Sequence, residues 1–296
     1  MTFSFYNKRI ISGISAGVFG LLVVGVGGIW FTFALQLIVH LALLEYLRMA
    51  EFAGIRPASK TTLLSCQVLL LTTYLDTQGF LPDELSIAVL PISGAAICVW
   101  LLLQPVAGSI SDIAASIFGL FYLGYLPSYW IRLRNLSNFE FSSSLEIMVQ
   151  NSSRSLSSGM IITLIACLMI VASDIGSYCF GRILGKNSLS PISPSKTIEG
   201  AIFGVISSIS VGIVSAIVLH CGFLGFVCWI ILGSLIGLFA IAGDLIESMM
   251  KRDAGLKDSG NVLPGHGGIL DRIDSYLFVP SILFYSMKFI LPILII

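Results

Sequence analysis

The sequence predicts an all-α integral membrane protein, a polytopic bundle of about nine transmembrane helices, and three observations carry that prediction. The 296 residues are 56% hydrophobic, with a mean hydropathy of +0.97. Only 11% are charged, against roughly 25% in soluble domains. Apolar windows of about the 20 residues that a spanning helix needs recur along the chain, separated by charged, proline-containing or glycine-rich breaks. The same composition excludes intrinsic disorder, which requires few apolar residues and high net charge. Sixteen Lys and Arg balance sixteen Asp and Glu, so no global basic field attracts polyanions, and nucleic acid is not an expected partner.

The first apolar run, Ile10 to Leu47, is too long for one span, and Gly25, Gly27 and Gly28 mark a turn between two helices. Further windows run over Thr61 to Gly79, Leu85 to Leu103, Val106 to Ile131, Met160 to Phe180, Ala201 to Leu219, Phe223 to Met249 and Tyr276 to Ile296. No short cleavable signal is expected, because the first apolar stretch runs past any peptidase site and more spans follow. The six cysteines lie mostly in apolar runs without a C-x-x-C pair or neighbouring histidines, the pattern of packed thiols and not of a disulfide framework or zinc site.

Lys and Arg in short loops orient the chain. Lys8 and Arg9 precede the first span and Arg48, Arg56 and Lys60 follow the second, whereas the next connection carries Asp76, Asp83 and Glu84. The amino terminus is therefore expected in the cytosol. With nine spans, the Gly181 to Gly200 loop and the segment after Met249 share that side. The serine-rich connection Asn135 to Ser158, with Arg132, Arg134 and Arg154 in or beside it, falls outside and runs against the rule.

Ten of the 32 charged residues fall between Asp244 and Asp274: Asp244, Glu247, Lys251, Arg252, Asp253, Lys257, Asp258, Asp271, Arg272 and Asp274. Against lipid each would cost at least about 2.5 kcal/mol, so the segment belongs in water or along a polar cavity. A solvated loop satisfies that requirement, but the spacing asks for more. Asp244, Glu247 and Lys251 stand three and four apart and share one helix face, as do Asp271 and Asp274. Carboxylates so dense repel one another unless a cation joins them. Mg²⁺ takes one or two carboxylates and completes its shell with water and phosphate oxygens, while Lys251, Arg252, Lys257 and Arg272 suit the remaining phosphate charge. Between the two halves, Leu263-Pro264-Gly265-His266-Gly267-Gly268 lets backbone N–H groups approach an anion. His266 alone is more often structural than catalytic.

A second polar island starts at Asp174, inside an apolar window, and continues through Tyr178, Gly181, Arg182, Gly185 and Lys186 to Ser193-Pro194-Ser195-Lys196-Thr197-Ile198-Glu199-Gly200. Ser195 or Thr197 can cap a helix there, with Glu199 in its first turn. An intramembrane carboxylate such as Asp174 marks a polar site by default. Asp112, isolated in another span, has the same general claim and no companions.

The residues Gly243 to Ser275 resemble the signature of the phosphatidate cytidylyltransferases, or CDP-diacylglycerol synthases. Ser248, Lys251-Arg252, Lys257-Asp258, Gly260, His266-Gly267-Gly268 and Asp271-Arg272-x-Asp274 stand at that family's spacing, and Asp174 to Gly200 resembles its D-x-x-x-Y, G-x-x-x-G-K and S-P-x-K-T-x-E-G elements. The resemblance covers about a third of the chain; before it only the multi-span character is shared. Gly176 and Ser177 depart from the usual pattern near Asp174, and Ser195 stands where many members carry a second lysine, which speaks against a role needing paired lysines.

The resemblance implies condensation of CTP with phosphatidate to CDP-diacylglycerol and pyrophosphate, with Mg²⁺ as cofactor and a monovalent cation such as K⁺ as a second occupant. It implies Asp244 and Asp271 as metal ligands with Asp274 close by, and a homodimer. Lys251, Arg252, Lys257 and Arg272 are then expected phosphate contacts, and Asp174, Lys186, Ser193, Lys196, Asp258, His266, Gly267 and Gly268 line the substrate path. The chain divides into an N-terminal transmembrane region, 1–157, and a C-terminal catalytic one, 158–296, whose site faces the cytosol, in a bacterial setting from the inner membrane. A transporter would spread its charges over two repeated halves, which are not seen. A CDP-alcohol phosphotransferase would carry D-G-x-x-A-R with a trailing G-x-x-x-D-x-x-x-D, which is absent.

Overall fold

A computed structural model describes residues 17–81, 83–136, 157–260 and 267–290. Lys8 and Arg9, most of the Asn135 to Ser158 connection, His266 with the residues from Leu263 before it, and the end of the last apolar window lie outside the described residues. The helices are α1 (Gly17–Val26), α2 (Gly28–Phe52), α3 (Ser59–Thr77), α4 (Asp83–Leu102), α5 (Ile110–Leu120), α6 (Leu126–Arg134), α7 (Ser158–Leu184), α8 (Ile198–Val218), α9 (Phe223–Asp253), α10 (Leu270–Leu277) and α11 (Val279–Tyr285). Strands β1 (Ser188–Ser190) and β2 (Ser193–Thr197) form an antiparallel ribbon, Ser188 opposite Thr197 and Ser190 opposite Ser193.

Six of these helical segments are long and apolar enough to cross a membrane: α2, α4 from Leu85, the continuous run Ile110–Arg134, α7, α8 and α9. The other three predicted windows fall on α1, α3 and the α10–α11 segment. The turn expected in the first window lies at Gly27 and Gly28, with φ of 66° and 54°, values that cost glycine nothing and L side chains a good deal. Helix α3 is too polar to count among the six, and its Thr62, Ser65 and Thr73 are buried. The last window is broken between Leu277 and Val279, where Pro280, lacking an N–H, starts the next helix. A π-helical turn, Phe121–Tyr125, joins α5 to α6 just before Pro127, whose missing N–H leaves the preceding carbonyl ladder short of a donor.

The chain forms two compact units. In the first, residues 1–131 with 250–273, the Tyr46 hydroxyl of α2 donates to the Ala115 carbonyl of α5 at 2.8 Å, and its ring covers Gly119, where a Cβ would lie 2.8 Å from the ring. Asp112, which the sequence left without companions, belongs to a capping box here. Ser109 Oγ accepts from the Asp112 N–H, and the Asp112 carboxylate accepts from the N–H groups of Ser109 and Arg56, both at 2.7 Å. It is 3% exposed and pins the α2–α3 connection to the start of α5. Its charge serves structure here.

In the second unit, 132–249 with 274–296, helix α8 turns small residues inward and large apolar ones outward. Along α8, Gly200, Gly204, Ser208, Gly212 and Ala216 are buried, while Ile202, Ile206, Val214 and Ile217 are exposed. In water that order would be inverted. In lipid the outer face needs no shielding, and close backbone approach supplies the packing. A Cβ on Gly200 would lie 2.8 Å from the Ser177 carbonyl of α7, and one on Gly233 of α9 would lie 2.9 Å from the Ile209 Cα of α8. The six cysteines form no disulfide, and Cys66, Cys221 and Cys228 are buried.

Candidate active site

The second unit holds a carboxylate cluster built from two helix ends. Asp244 and Glu247, three residues apart on one face of α9, meet Asp274 of α10, and one oxygen from each lies within 4.8 Å of the others. Gly243 makes the meeting possible, since a Cβ there would clash with the Asp274 carbonyl. Glu247 is fully buried and Asp274 is 8% exposed, whereas the Asp244 side chain keeps 37% of its surface open. Burial pushes the Asp274 carboxyl well above the usual carboxylate range, and the charges of Asp244 and Glu247 push it further; the Ser275 N–H, donated to Asp274 at 2.8 Å, works the other way.

Lys196, from β2, forms an ion pair with Asp244. The β1–β2 ribbon that carries it is fixed at both ends by local chemistry. Thr197 is the N-cap of α8, its hydroxyl accepting from the Gly200 N–H, so Thr197 and not Ser195 performs the capping expected there. Glu199 in the first turn accepts from the Lys186 and Asn187 N–H groups at 3.1 and 3.3 Å. Lys186 is exposed and Ser193 is buried. Asp174 of α7 accepts from the Ser275 hydroxyl at 3.3 Å, which brings the upstream polar island to α10.

The first unit holds the other charged cluster. Lys251 Nζ donates to Asp271 Oδ1 at 2.6 Å, with only 13% and 10% of the two side chains exposed. The second oxygen, Oδ2, accepts from Gly268 N at 2.8 Å, Ser259 N at 3.1 Å and Ser259 Oγ at 3.0 Å. Gly267 beside it has φ of 81°, and a Cβ there would lie 2.8 Å from that oxygen. Arg252 donates to the Leu256 carbonyl at 3.2 Å, and Arg252, Lys257, Asp258 and Arg272 are all exposed. The exposed cations Arg252, Lys257 and Arg272 suit polyanions.

Of the residues selected from sequence, Asp174, Lys186, Ser193, Lys196, Asp244 and Asp274 thus belong to the second unit. Lys251, Arg252, Lys257, Asp258, Gly267, Gly268, Asp271 and Arg272 belong to the first. His266 lies outside the described residues. Three further residues join the clusters. Glu247 completes the carboxylate group, and its spacing from Asp244 already signalled it. Ser259 serves Asp271, with no signal beyond a place in the glycine-rich segment. Glu45 of α2 accepts from Ser259 Oγ, Ile269 N and Leu270 N; as an acid inside an apolar window it met the test that singled out Asp174 and Asp112.

Three carboxylates offering hard oxygen donors, two of them buried, fit a divalent cation such as Mg²⁺. A cation there offsets the repulsion that burial intensifies.

A model of the cytidylyltransferase family matches residues 7–290. The chain is 42% identical over 297 residues to the phosphatidate cytidylyltransferase of Synechocystis sp., covering 97% of this chain and 98% of that one. It is 34% identical to the chloroplastic phosphatidate cytidylyltransferase 4 of Arabidopsis thaliana, over 95% of this chain and 73% of that one. With the phosphatidate cytidylyltransferase of Bacillus subtilis it shares 29% identity, over 95% and 97% of the two chains. The match runs through the membrane helices as well as both charged clusters, and the chain belongs to the cytidylyltransferase family.

Proposed function

We propose that this chain is a phosphatidate cytidylyltransferase, condensing CTP with phosphatidate to CDP-diacylglycerol and pyrophosphate. The observation that carries this reading is the near full-length similarity to proteins named for that reaction. The residue inventory supplies its chemistry. A phosphatidate oxygen attacks the α-phosphorus of CTP, a bond forms there, and the bond from that phosphorus to the α–β bridging oxygen breaks, releasing pyrophosphate. A phosphate monoester has its second pKa near about 6, so the nucleophile is largely ionised at neutral pH and needs no general base. Catalysis then consists of placing two polyanions in line and offsetting their charge.

Mg²⁺ held here would offset triphosphate charge and stabilise the leaving pyrophosphate. Asp244 and Asp271 are the ligands that the resemblance implies, with Asp274 and Glu247 beside Asp244 and a monovalent cation such as K⁺ as a second occupant. Asp271 Oδ1 is held by Lys251, whose ammonium is the cation beside it that would take phosphate charge. Arg252, Lys257 and Arg272 take further phosphate charge. Asp174, Lys186, Ser193, Lys196, Asp258, His266, Gly267 and Gly268 line the nucleotide or lipid phosphate path. The same proposal includes a homodimer of about nine spans per chain, with the site on the cytosolic face. The diacyl tails then stay in lipid while the headgroup reaches water.

The test is pyrophosphate release from CTP by purified protein in detergent with phosphatidate and Mg²⁺. Wild type is expected to release it, and Asp271→Asn to lose at least about 100-fold in rate while remaining folded. Absence of release from wild type, or full activity in that variant, overturns the respective assignment.

A further inference from the structure

Glu45 is a carboxylate in the last third of the apolar helix α2, yet it is 1% exposed and has three donors. Ile269 N donates to Oε1 at 3.0 Å, Leu270 N to Oε2 at 2.8 Å, and Ser259 Oγ lies 3.2 Å from Oε2. A buried charge persists only where such partners replace its water. Two glycines close over it: a Cβ on Gly260 would lie 2.6 Å from Oε1, and one on Gly268 would meet both Ser259 Oγ and the Glu45 carboxylate. The pocket is therefore shaped to one acidic side chain.

The donors explain what that acid does. Gly268, Ile269 and Leu270 supply consecutive N–H groups at the start of α10, which have no partner within the helix. Asp271 takes the first and Glu45 the next two. Ser259 links the acids, its hydroxyl 3.0 Å from Asp271 and 3.2 Å from Glu45, with one proton to give to either. Negative charge at this helix end is favoured by the backbone dipoles as well. Asp271 thus stands on a helix start whose position is set by an acid more than two hundred residues away in sequence.

We infer that Glu45 is a positioning residue for cytidylyl transfer: by holding Ile269, Leu270 and Ser259 it fixes the orientation in which Asp271 is presented to cation and triphosphate. This rests on the proposed metal-assisted transfer. In this role Glu45 acts through the segment that carries Asp271. Glu45→Gln preserves shape but turns an NH₂ group toward at least one donor, so the start of α10 loosens. Glu45→Asp keeps both acceptor oxygens but sets them back by one methylene.

The experiment compares full-length wild type, Glu45→Gln, Glu45→Asp and Ser259→Ala in detergent, with two readouts. Hydrogen–deuterium exchange without substrate is expected to accelerate in Glu45→Gln at Ile269 and Leu270, while the amides of α8 and α9 exchange as in wild type. In the pyrophosphate assay, the Mg²⁺ concentration giving half-maximal rate is expected to rise about tenfold or more in Glu45→Gln, the scale on which partners of metal ligands act. It should rise less in Glu45→Asp and by a few-fold in Ser259→Ala. Unchanged exchange at these two amides, or a wild-type Mg²⁺ dependence in folded Glu45→Gln, overturns the inference. Should Glu45→Gln fail to fold, an unchanged Mg²⁺ dependence in Ser259→Ala overturns it instead. Wild type that releases no pyrophosphate sinks the proposed transfer; the exchange readout then still decides whether Glu45 holds the helix start.

Discussion

Asp112 and Glu45 are both nearly buried acids in apolar helices, and their surroundings give them different work. Asp112 accepts two backbone N–H groups, one from its own helix start and one from the α2–α3 connection. Asp112→Ala leaves those N–H groups with no acceptor, which costs about 1–3 kcal/mol. The expected outcome is a lower unfolding temperature in detergent with turnover per folded molecule retained, checked by thermal melts alongside the pyrophosphate assay. A lost turnover in the folded variant would mean that Asp112 acts in the chemistry after all. Glu45 accepts its bonds from the segment that carries Asp271, so its replacement is expected to alter the reaction's Mg²⁺ dependence. The sequence supplied the same clue for both, a carboxylate among apolar neighbours. It could not distinguish them, because the partners that decide their roles, Arg56 for Asp112 and Ile269 with Leu270 for Glu45, are remote in sequence.

At the scale of elements, the decisive feature is how closely helices approach. Helices α7 and α8 meet through Ser173, Gly176 and Ser177 against Gly200, Gly204 and Ser207, and a Cβ on Gly204 would clash with Ser177 Oγ and lie 3.0 Å from the Ser173 carbonyl. Gly94 of α4, by contrast, has open space where its Cβ would be. Gly204→Val is therefore expected to destabilise the folded chain by about 1–3 kcal/mol through overpacking, and Gly94→Ala to be neutral or slightly stabilising through helix propensity. Melting temperatures of the two variants decide the point; equal effects would mean that the α7–α8 approach is not tight. Most elements were legible from apolar periodicity and from glycine and proline punctuation, including the turn at Gly27 and Gly28. The broken last window was not. Its hydropathy stays high across Phe278, and only Pro280 hinted that the helix would restart there.

For the whole molecule, membrane topology follows from charge in the loops. Lys60→Cys and Gly255→Cys, each in a background without other reactive thiols, are expected to be labelled from the cytosolic side by an impermeant reagent, and Phe80→Cys from the opposite side. Labelling of Lys60→Cys and Phe80→Cys from one side would remove the span between them and the count of about nine with it. The amino-acid sequence by itself determined the class of molecule and the residues of its charged segment. Composition and motif spacing are properties of the linear chain, and a bilayer reads hydropathy almost directly. Only the tertiary structure decided which charges belong together. Asp274 joined Asp244 and Glu247, Lys251 took Asp271, Lys196 took Asp244, and Glu45 reached the start of α10. Charges pair through space at distances of a few ångströms, and the folding that brings remote residues within that range leaves no mark on their spacing in the chain.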